Sequence, residues 1–342
     1  MKLWKTTLAF TSVVSLAATA VLFKRIKTML GIQHIGGNLY EVDYRADYKL
    51  DKLLAKGVKD TAGLTSFLSK EIYFGYPVGL SENISGCSSF AAKSPSGDLL
   101  AGRNFDYPKT GMLLVHTRPK NRYASYSMAC LSLLNISEES GTTPETLKGK
   151  MMILSAPFAC VDGINEKGLH AAVLELCTKP TAHDTGKRPI IPTVAIRMLL
   201  DKCATTKEAV AVLGEFDMFS SSGTPYHFFI TDASGESAVV EWPGPEQGMV
   251  VQKQPYVTNF QLADGNYKGV GLGHDRYKAI EDTLEQSQGV IDEDEAMRLL
   301  ERVSVKDNSR FCTLWSIVYN ISSGVFKICC DMDYGKVYEF RI

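Results

Sequence analysis

Apolar and polar positions follow three different rhythms along this chain. From Thr6 to Phe23 nearly every residue is apolar or small, with Lys2 and Lys5 before the run and Lys24, Arg25 and Lys27 after it. That length lies between the core of a signal peptide and a membrane span. Ala18-Thr19-Ala20 offers a small-residue cleavage site, but Val21-Leu22-Phe23 carries the run past it. A signal peptide and a retained anchor therefore both stay open over residues 1–27, with a buried soluble helix as the third reading. Basic flanks at both ends leave the orientation unset. Either of the first two readings places the rest of the chain outside the cytoplasm, secreted or membrane-anchored, or in an organelle lumen. From Asp43 to Ile72 the period changes: Leu50, Leu53, Leu54, Val58, Leu64 and Leu68 recur at three- to four-residue spacing and predict helix. Gly75-Tyr76-Pro77 ends that pattern.

From Cys87 onward the rhythm is that of short strands: Cys87–Ala92, Leu99–Arg103, Met112–Arg118, Met151–Ala156 and Leu169–Leu176. Ser94-Pro95-Ser96-Gly97, Asp162-Gly163 and Glu166-Lys167-Gly168 supply turn signals between them. Helical spacing returns over Thr193–Lys202 and Thr206–Gly214. Strands follow at His227–Thr231, Ser237–Trp242 and Tyr256–Asn259, then helices at Arg276–Gln286 and Asp294–Val303. Hairpins built from Leu314–Tyr319, Val325–Ile328 and Val337–Phe340 close the chain. Strands, then helices, then strands again indicate a layered α+β fold.

Composition narrows the chemistry. The formal net charge is −1 and charged residues make up 22%, without the clustered basic excess of a nucleic-acid binder. The eight cysteines show no CxxC pair, so a zinc site is not expected; no other metal and no cofactor is expected either. Most of them sit in apolar runs as buried thiols.

One cysteine is set apart by the residues downstream of it. Ser85-Gly86-Cys87-Ser88-Ser89-Phe90 precedes Gly102-Arg103-Asn104-Phe105-Asp106, with the Ser94–Gly97 turn between them. A strand that starts at Cys87 and returns through that turn brings Arg103 and Asp106 back beside the thiol. A free thiol has a pKa of about 8.5 and needs a base to become a nucleophile. No histidine lies near Cys87 in sequence. Its own α-amine, with a reference pKa of about 7.7–8.0, would serve once the Gly86–Cys87 bond is cut. A buried cysteine beside a structural Arg–Asp pair fits the same spacing.

Five segments in order are similar to the choloylglycine hydrolase and acid ceramidase family of linear amide hydrolases. Gly86-Cys87-Ser88-Ser89 with Gly102-Arg103-Asn104-Phe105-Asp106 resembles the family's opening. Asp162-Gly163-Ile164-Asn165-Glu166-Lys167-Gly168-Leu169 resembles its D-G-x-N-E-K-G-L segment. His227 to Gly235 with Val239-Val240-Glu241 resembles its central hairpin. Thr258-Asn259 and Asp275-Arg276-Tyr277 resemble its oxyanion-hole and arginine segments. Asp275 stands where the family has serine, and the interval from Asn259 to Arg276 is shorter than in the bile-salt enzymes.

The resemblance implies a four-layer αββα N-terminal-nucleophile sandwich of two antiparallel sheets over residues 87–342. Residues 28–86 would be a pro-segment or small subunit. It further implies Cys87 as nucleophile and, through its α-amine, base, after self-cleavage at Gly86–Cys87. Arg103, Asp106 and Arg276 would support it, and Asn259 and the neighbourhood of Asn165 would stabilise the oxyanion. The activity implied is hydrolysis of linear non-peptide amides (N-acyl amides, bile-acid conjugates or ceramide-like molecules) through a thioester. The same residues would serve acyl transfer to an amine, and an inactive membrane-anchored binding protein is the non-enzymatic alternative. The expected partner is a small-molecule amide with an apolar acyl group, not nucleic acid. Membrane association through residues 6–23 and homo-oligomerisation stay open.

Overall fold

Residues 19–80, 86–220, 223–244, 248–306 and 311–342 are described in the computed structural model of the chain. The greater part of the Thr6–Phe23 run, residues 6–18, lies outside them. Among the described residues no helix is long and apolar enough to cross a membrane.

Two sheets dominate. The larger has nine strands, in the spatial order Ile32–Gly36, Leu39–Tyr44, Met112–Thr117, Ser125–Cys130, Cys160–Asn165, His170–Glu175, Tyr226–Thr231, Ser237–Glu241 and Val250–Gln252. The smaller has six: Tyr256–Val257, Cys87–Lys93, Leu99–Tyr107, Cys312–Asn320, Val325–Cys330 and Val337–Arg341. The strand Cys87–Lys93 meets the strand His170–Glu175 across the gap between the sheets. Helices Pro192–Lys202 and Thr206–Leu213 cover the outer face of the larger sheet, and helices His274–Gln286 and Glu293–Arg302 that of the smaller. The fold is thus the four-layer αββα sandwich. Each central sheet is apolar on both faces, as a doubly covered sheet must be. Adjacent Cys329 and Cys330 show this directly: both are buried, one in the core under the helices and the other in the main core.

Four local expectations are corrected. The stretch Asp43–Ile72 is not one helical segment but the end of strand Leu39–Tyr44 followed by helices Leu50–Lys56 and Thr61–Glu71. Gly57 breaks it, with φ +75° and the Pro189 ring 2.7 Å from where a Cβ would sit. Met151–Ala156 is helical, within Leu147–Met152 and the 3-10 turn Ile153–Phe158. It is a short, largely buried and mostly apolar run, which periodicity cannot assign. Asp162-Gly163 lies inside a strand, because Gly163 admits the Tyr126 carbonyl, which a Cβ would meet at 2.4 Å. The larger sheet is also not wholly antiparallel, since Leu39–Tyr44 runs parallel to Met112–Thr117.

That parallel pairing ties the segment before Cys87 into the sandwich. Leu39, Val42, Leu50, Leu53, Leu64 and Leu68 are fully buried in the main core with residues from beyond Cys87. Leu53→Ala is accordingly expected to lower unfolding free energy by about 2–5 kcal/mol. Denaturant titration measures this, and an unchanged midpoint would show the segment to be peripheral.

Candidate active site

The site begins with a hairpin. Ser94 Oγ accepts from the Asp98 amide at 3.0 Å, and Gly97 takes φ +93°, so the strand Cys87–Lys93 turns tightly into Leu99–Tyr107. In the resulting register Cys87 faces Phe105 and Ser89 faces Arg103. Opposed residues share a face of the sheet, so Arg103 lies diagonally across from Cys87. Its Nη2 donates to Cys87 Sγ at 3.1 Å and to the Val173 carbonyl at 2.7 Å, and its Nε to Asp162 Oδ2 at 3.3 Å. Asp162 is completed by Trp315 Nε1 at 3.1 Å and the Tyr319 hydroxyl at 3.0 Å.

A second cluster surrounds the Gly86–Cys87 peptide. The Asp106 amide donates to the Gly86 carbonyl at 2.9 Å. Asp106 Oδ1 accepts from Thr313 at 2.6 Å, and Oδ2 from Arg276 Nη1 at 3.1 Å. Arg276 also donates through Nη1 to the Cys87 carbonyl and through Nη2 to Asn259 Oδ1, both at 2.9 Å. Asn259 Oδ1 accepts the Cys87 amide at 2.5 Å, and Asn259 Nδ2 donates to the Glu175 carbonyl at 2.8 Å. Two donors on one atom and an acceptor on the other fix the orientation of this amide. A side chain at position 86 would meet Asp106 Oδ2 at 2.8 Å, which is why glycine stands there.

A buried His–Glu pair sets the strand that carries Asn259. His227 Nδ1 is 2.9 Å from Glu241 Oε1 and Nε2 is 2.7 Å from the Thr258 carbonyl. Both partners are oxygen atoms, so the ring is held at each of its nitrogens. Glu241 in turn accepts from the Leu262 and Ala263 amides. Asn259 is therefore pinned from both sides.

Burial governs the electrostatics. It pushes the Cys87 thiol up to about 11; Arg103 and Arg276 pull it down, while Asp106 and Glu175 push the same way as burial. The Asp106 and Asp162 carboxyls are likewise raised by burial, against the pull of their arginines and hydroxyl donors. Glu175 has no such counterweight. Burial raises its carboxyl to about 7, and its Oε2 has no hydrogen-bond partner. With Gly86 attached, Cys87 is thus a protonated thiol between two guanidinium groups.

Of the residues singled out by sequence, Cys87, Arg103, Asp106, Asn259 and Arg276 converge. Asn165 does not: its Nδ2 donates to the Leu200 and Cys203 carbonyls, and its Oδ1 takes the Lys167 and Leu169 amides. Its donors tie the end of helix Pro192–Lys202 to the turn that its Oδ1 holds, so the side chain lies apart from the cluster around Cys87. Sequence reasoning missed Asp162 and Glu175. The first reads as part of a turn. The second sits at the end of a strand with no motif around it; a lone carboxylate in an apolar run is its only signal.

A sequence profile described as linear amide C-N hydrolases of the choloylglycine hydrolase family matches residues 87–298, more than half of the chain. The chain belongs to this family. It is a hydrolase of C–N bonds other than peptide bonds in linear amides. The fold is shared with solved structures. Two variants of the conjugated bile acid hydrolase from Clostridium perfringens align at 16% identity with TM-scores of 0.54 and 0.55, each over 75% of this chain and 92% of theirs. Penicillin V acylase from Agrobacterium tumefaciens aligns at 17% identity and TM-score 0.51, over 75% of this chain and 86% of its own.

Glu175 gives a stability test. Its folded pKa of about 7 lies above the ordinary 4.5, so its contribution is fully present below about 4.5 and is lost as pH rises through about 7. In uncleaved Cys87→Ala protein, stability should fall across that window by on the order of 2 kcal/mol. Glu175→Gln should flatten the curve. Thermal melting against pH checks this, and equal slopes in both proteins would contradict it.

Proposed function

We propose that this family member is a self-processing cysteine hydrolase. In this reading Cys87 first cleaves its own bond to Gly86 and then uses the freed α-amine as the base for amide hydrolysis. One observation carries the reading: the Gly86–Cys87 peptide is itself held as a substrate would be. Its carbonyl oxygen is bonded by the Asp106 amide, its nitrogen by Asn259, and the adjacent thiol by Arg103.

In processing, Cys87 Sγ attacks the Gly86 carbonyl carbon, the C–N bond breaks and the amine takes the thiol proton. Water then hydrolyses the Gly86 thioester, leaving a Gly86 carboxylate and a free Cys87 amine and thiol. In turnover, that amine takes the thiol proton as Sγ attacks the substrate carbonyl and passes it to the leaving amine. Water, activated by the same amine, releases the acid. Asn259 Nδ2 has a second hydrogen beyond the one given to the Glu175 carbonyl, and this suits it to the oxyanion. Arg276, bridging Asp106, Asn259 and the Cys87 carbonyl, keeps the amine in register. We place the substrate among N-acyl amides with an apolar acyl group, the class that includes bile-acid conjugates and ceramide-like molecules. We further propose that residues 28–86 stay bound after cleavage, because their strand and helices belong to the common core.

Intact mass and N-terminal sequencing test the first step. The expected finding is a new terminus at Cys87, absent from Cys87→Ala. Native size exclusion of the cleaved protein should still give one particle that separates into two pieces only on denaturation. A fully active, uncut chain would overturn the mechanism. Asn259→Ala should reduce kcat about 10²–10³-fold with a smaller change in KM. A change confined to KM would remove Asn259 from the chemistry.

A further inference from the structure

The described part of the chain opens with helix 19–30, whose polarity is inverted relative to a soluble surface helix. Its two buried residues are polar, beside a partly buried Met29: Arg25 Nη2 donates to the Glu71 carbonyl at 2.9 Å, and Thr28 Oγ1 accepts the Arg45 and Ala46 amides at 2.9 and 3.0 Å. Its solvent side carries Leu22, Phe23, Ile26 and Leu30. The turn after helix Thr61–Glu71 adds Phe74, 76% exposed, and Tyr76, 50% exposed. Arg25 joins the two, its guanidinium lying 4.4 Å over the Phe74 ring. Contiguous exposed apolar surface of this kind marks an interaction site.

We propose that this face docks on an anionic lipid bilayer. Charge selects the occupant. Among the described residues Lys24 and Lys27 have no carboxylate partner, and Lys27 lies over the Phe23 ring at 4.7 Å. The neighbouring carboxylates are already taken: Asp43 by Arg45 and Arg118, Asp47 by Lys49, Glu71 by Lys52. The face is therefore apolar and net basic, which matches headgroups above an acyl boundary. A second copy would bring like charges together. The apolar run that begins at Thr6 leads into the same face at Phe23. Because helix 19–30 is bonded to the strand and helices behind it, docking would press the catalytic sandwich itself onto the membrane rather than leave it on a tether.

The test uses the full chain with phosphatidylcholine vesicles, with and without phosphatidylserine. A Phe74→Trp variant reports the surface, read as the difference from the parent spectrum. The proposal expects tighter partition with phosphatidylserine, a blue shift of the reporter, and its quenching by brominated acyl chains. Lys24→Gln/Lys27→Gln should weaken partition to the anionic vesicles about twenty-five-fold. Ile26→Ser/Phe74→Ser should weaken it on both vesicle types, with an unchanged circular dichroism spectrum as the folding control. Three results would each overturn the proposal. One is partition indifferent to the lysines. Another is a bound chain whose reporter stays unquenched, which would assign binding to the Thr6–Phe23 run alone. The third is a reporter already blue-shifted in a vesicle-free dimer seen by sedimentation.

Discussion

The interaction on which the rest of this structure depends is the buried ion pair between Arg103 and Asp162. Both side chains are fully buried, with Nε and Oδ2 3.3 Å apart. Arg103 comes from the six-stranded sheet and Asp162 from the nine-stranded one, so the pair spans the gap between the sheets. Desolvating two charges is costly, and only further hydrogen bonds make the arrangement tolerable. Trp315 and Tyr319 supply them to Asp162, and the Val173 carbonyl accepts from Arg103. Satisfying that ion pair leaves Arg103 Nη2 aimed at Cys87 Sγ. The joining of the two sheets and the placement of Cys87, the proposed nucleophile, are met by the same contacts.

A second consequence concerns timing. The carbonyl, the nitrogen and the thiol of the Gly86–Cys87 unit each have a hydrogen-bond partner, and in the proposed cleavage the amide nitrogen becomes an amine and the Gly86 carbonyl a carboxylate. In the proposed processing one bond changes and a base appears. Burial raises the Cys87 thiol to about 11, which disfavours the thiolate. Arg103 and Arg276 place beside Cys87 the counter-charge that a thiolate or oxyanion needs.

Much of this is legible in the sequence because it is local. The Ser94–Gly97 turn sets the register that delivers Arg103 to Cys87, and Thr258-Asn259 and Arg276 stand in recognisable segments. The features that escape are those that depend on strands far apart in the chain. Asp162 reads as turn because Gly163 comes next, yet that glycine serves a close backbone approach within a sheet. Glu175 becomes notable only when the fold buries its carboxyl without a partner. Asn165 shows the converse: a residue inside a recognisable segment whose hydrogen bonds serve its own turn and the end of helix Pro192–Lys202. The segment before Cys87 reads as separable, since helical spacing does not say what a helix packs against. Its leucines lie in the common core.

The central claim is that acyl transfer runs through Cys87 in a chain whose α-amine is free. Acid quenching during turnover of a slowly hydrolysed N-acyl amide, with peptide mass mapping of the quenched enzyme, measures this directly. The expected result is an acyl group on a peptide whose first residue is Cys87. An acyl group on a peptide that still carries Gly86, or on any other residue of an active enzyme, would contradict it.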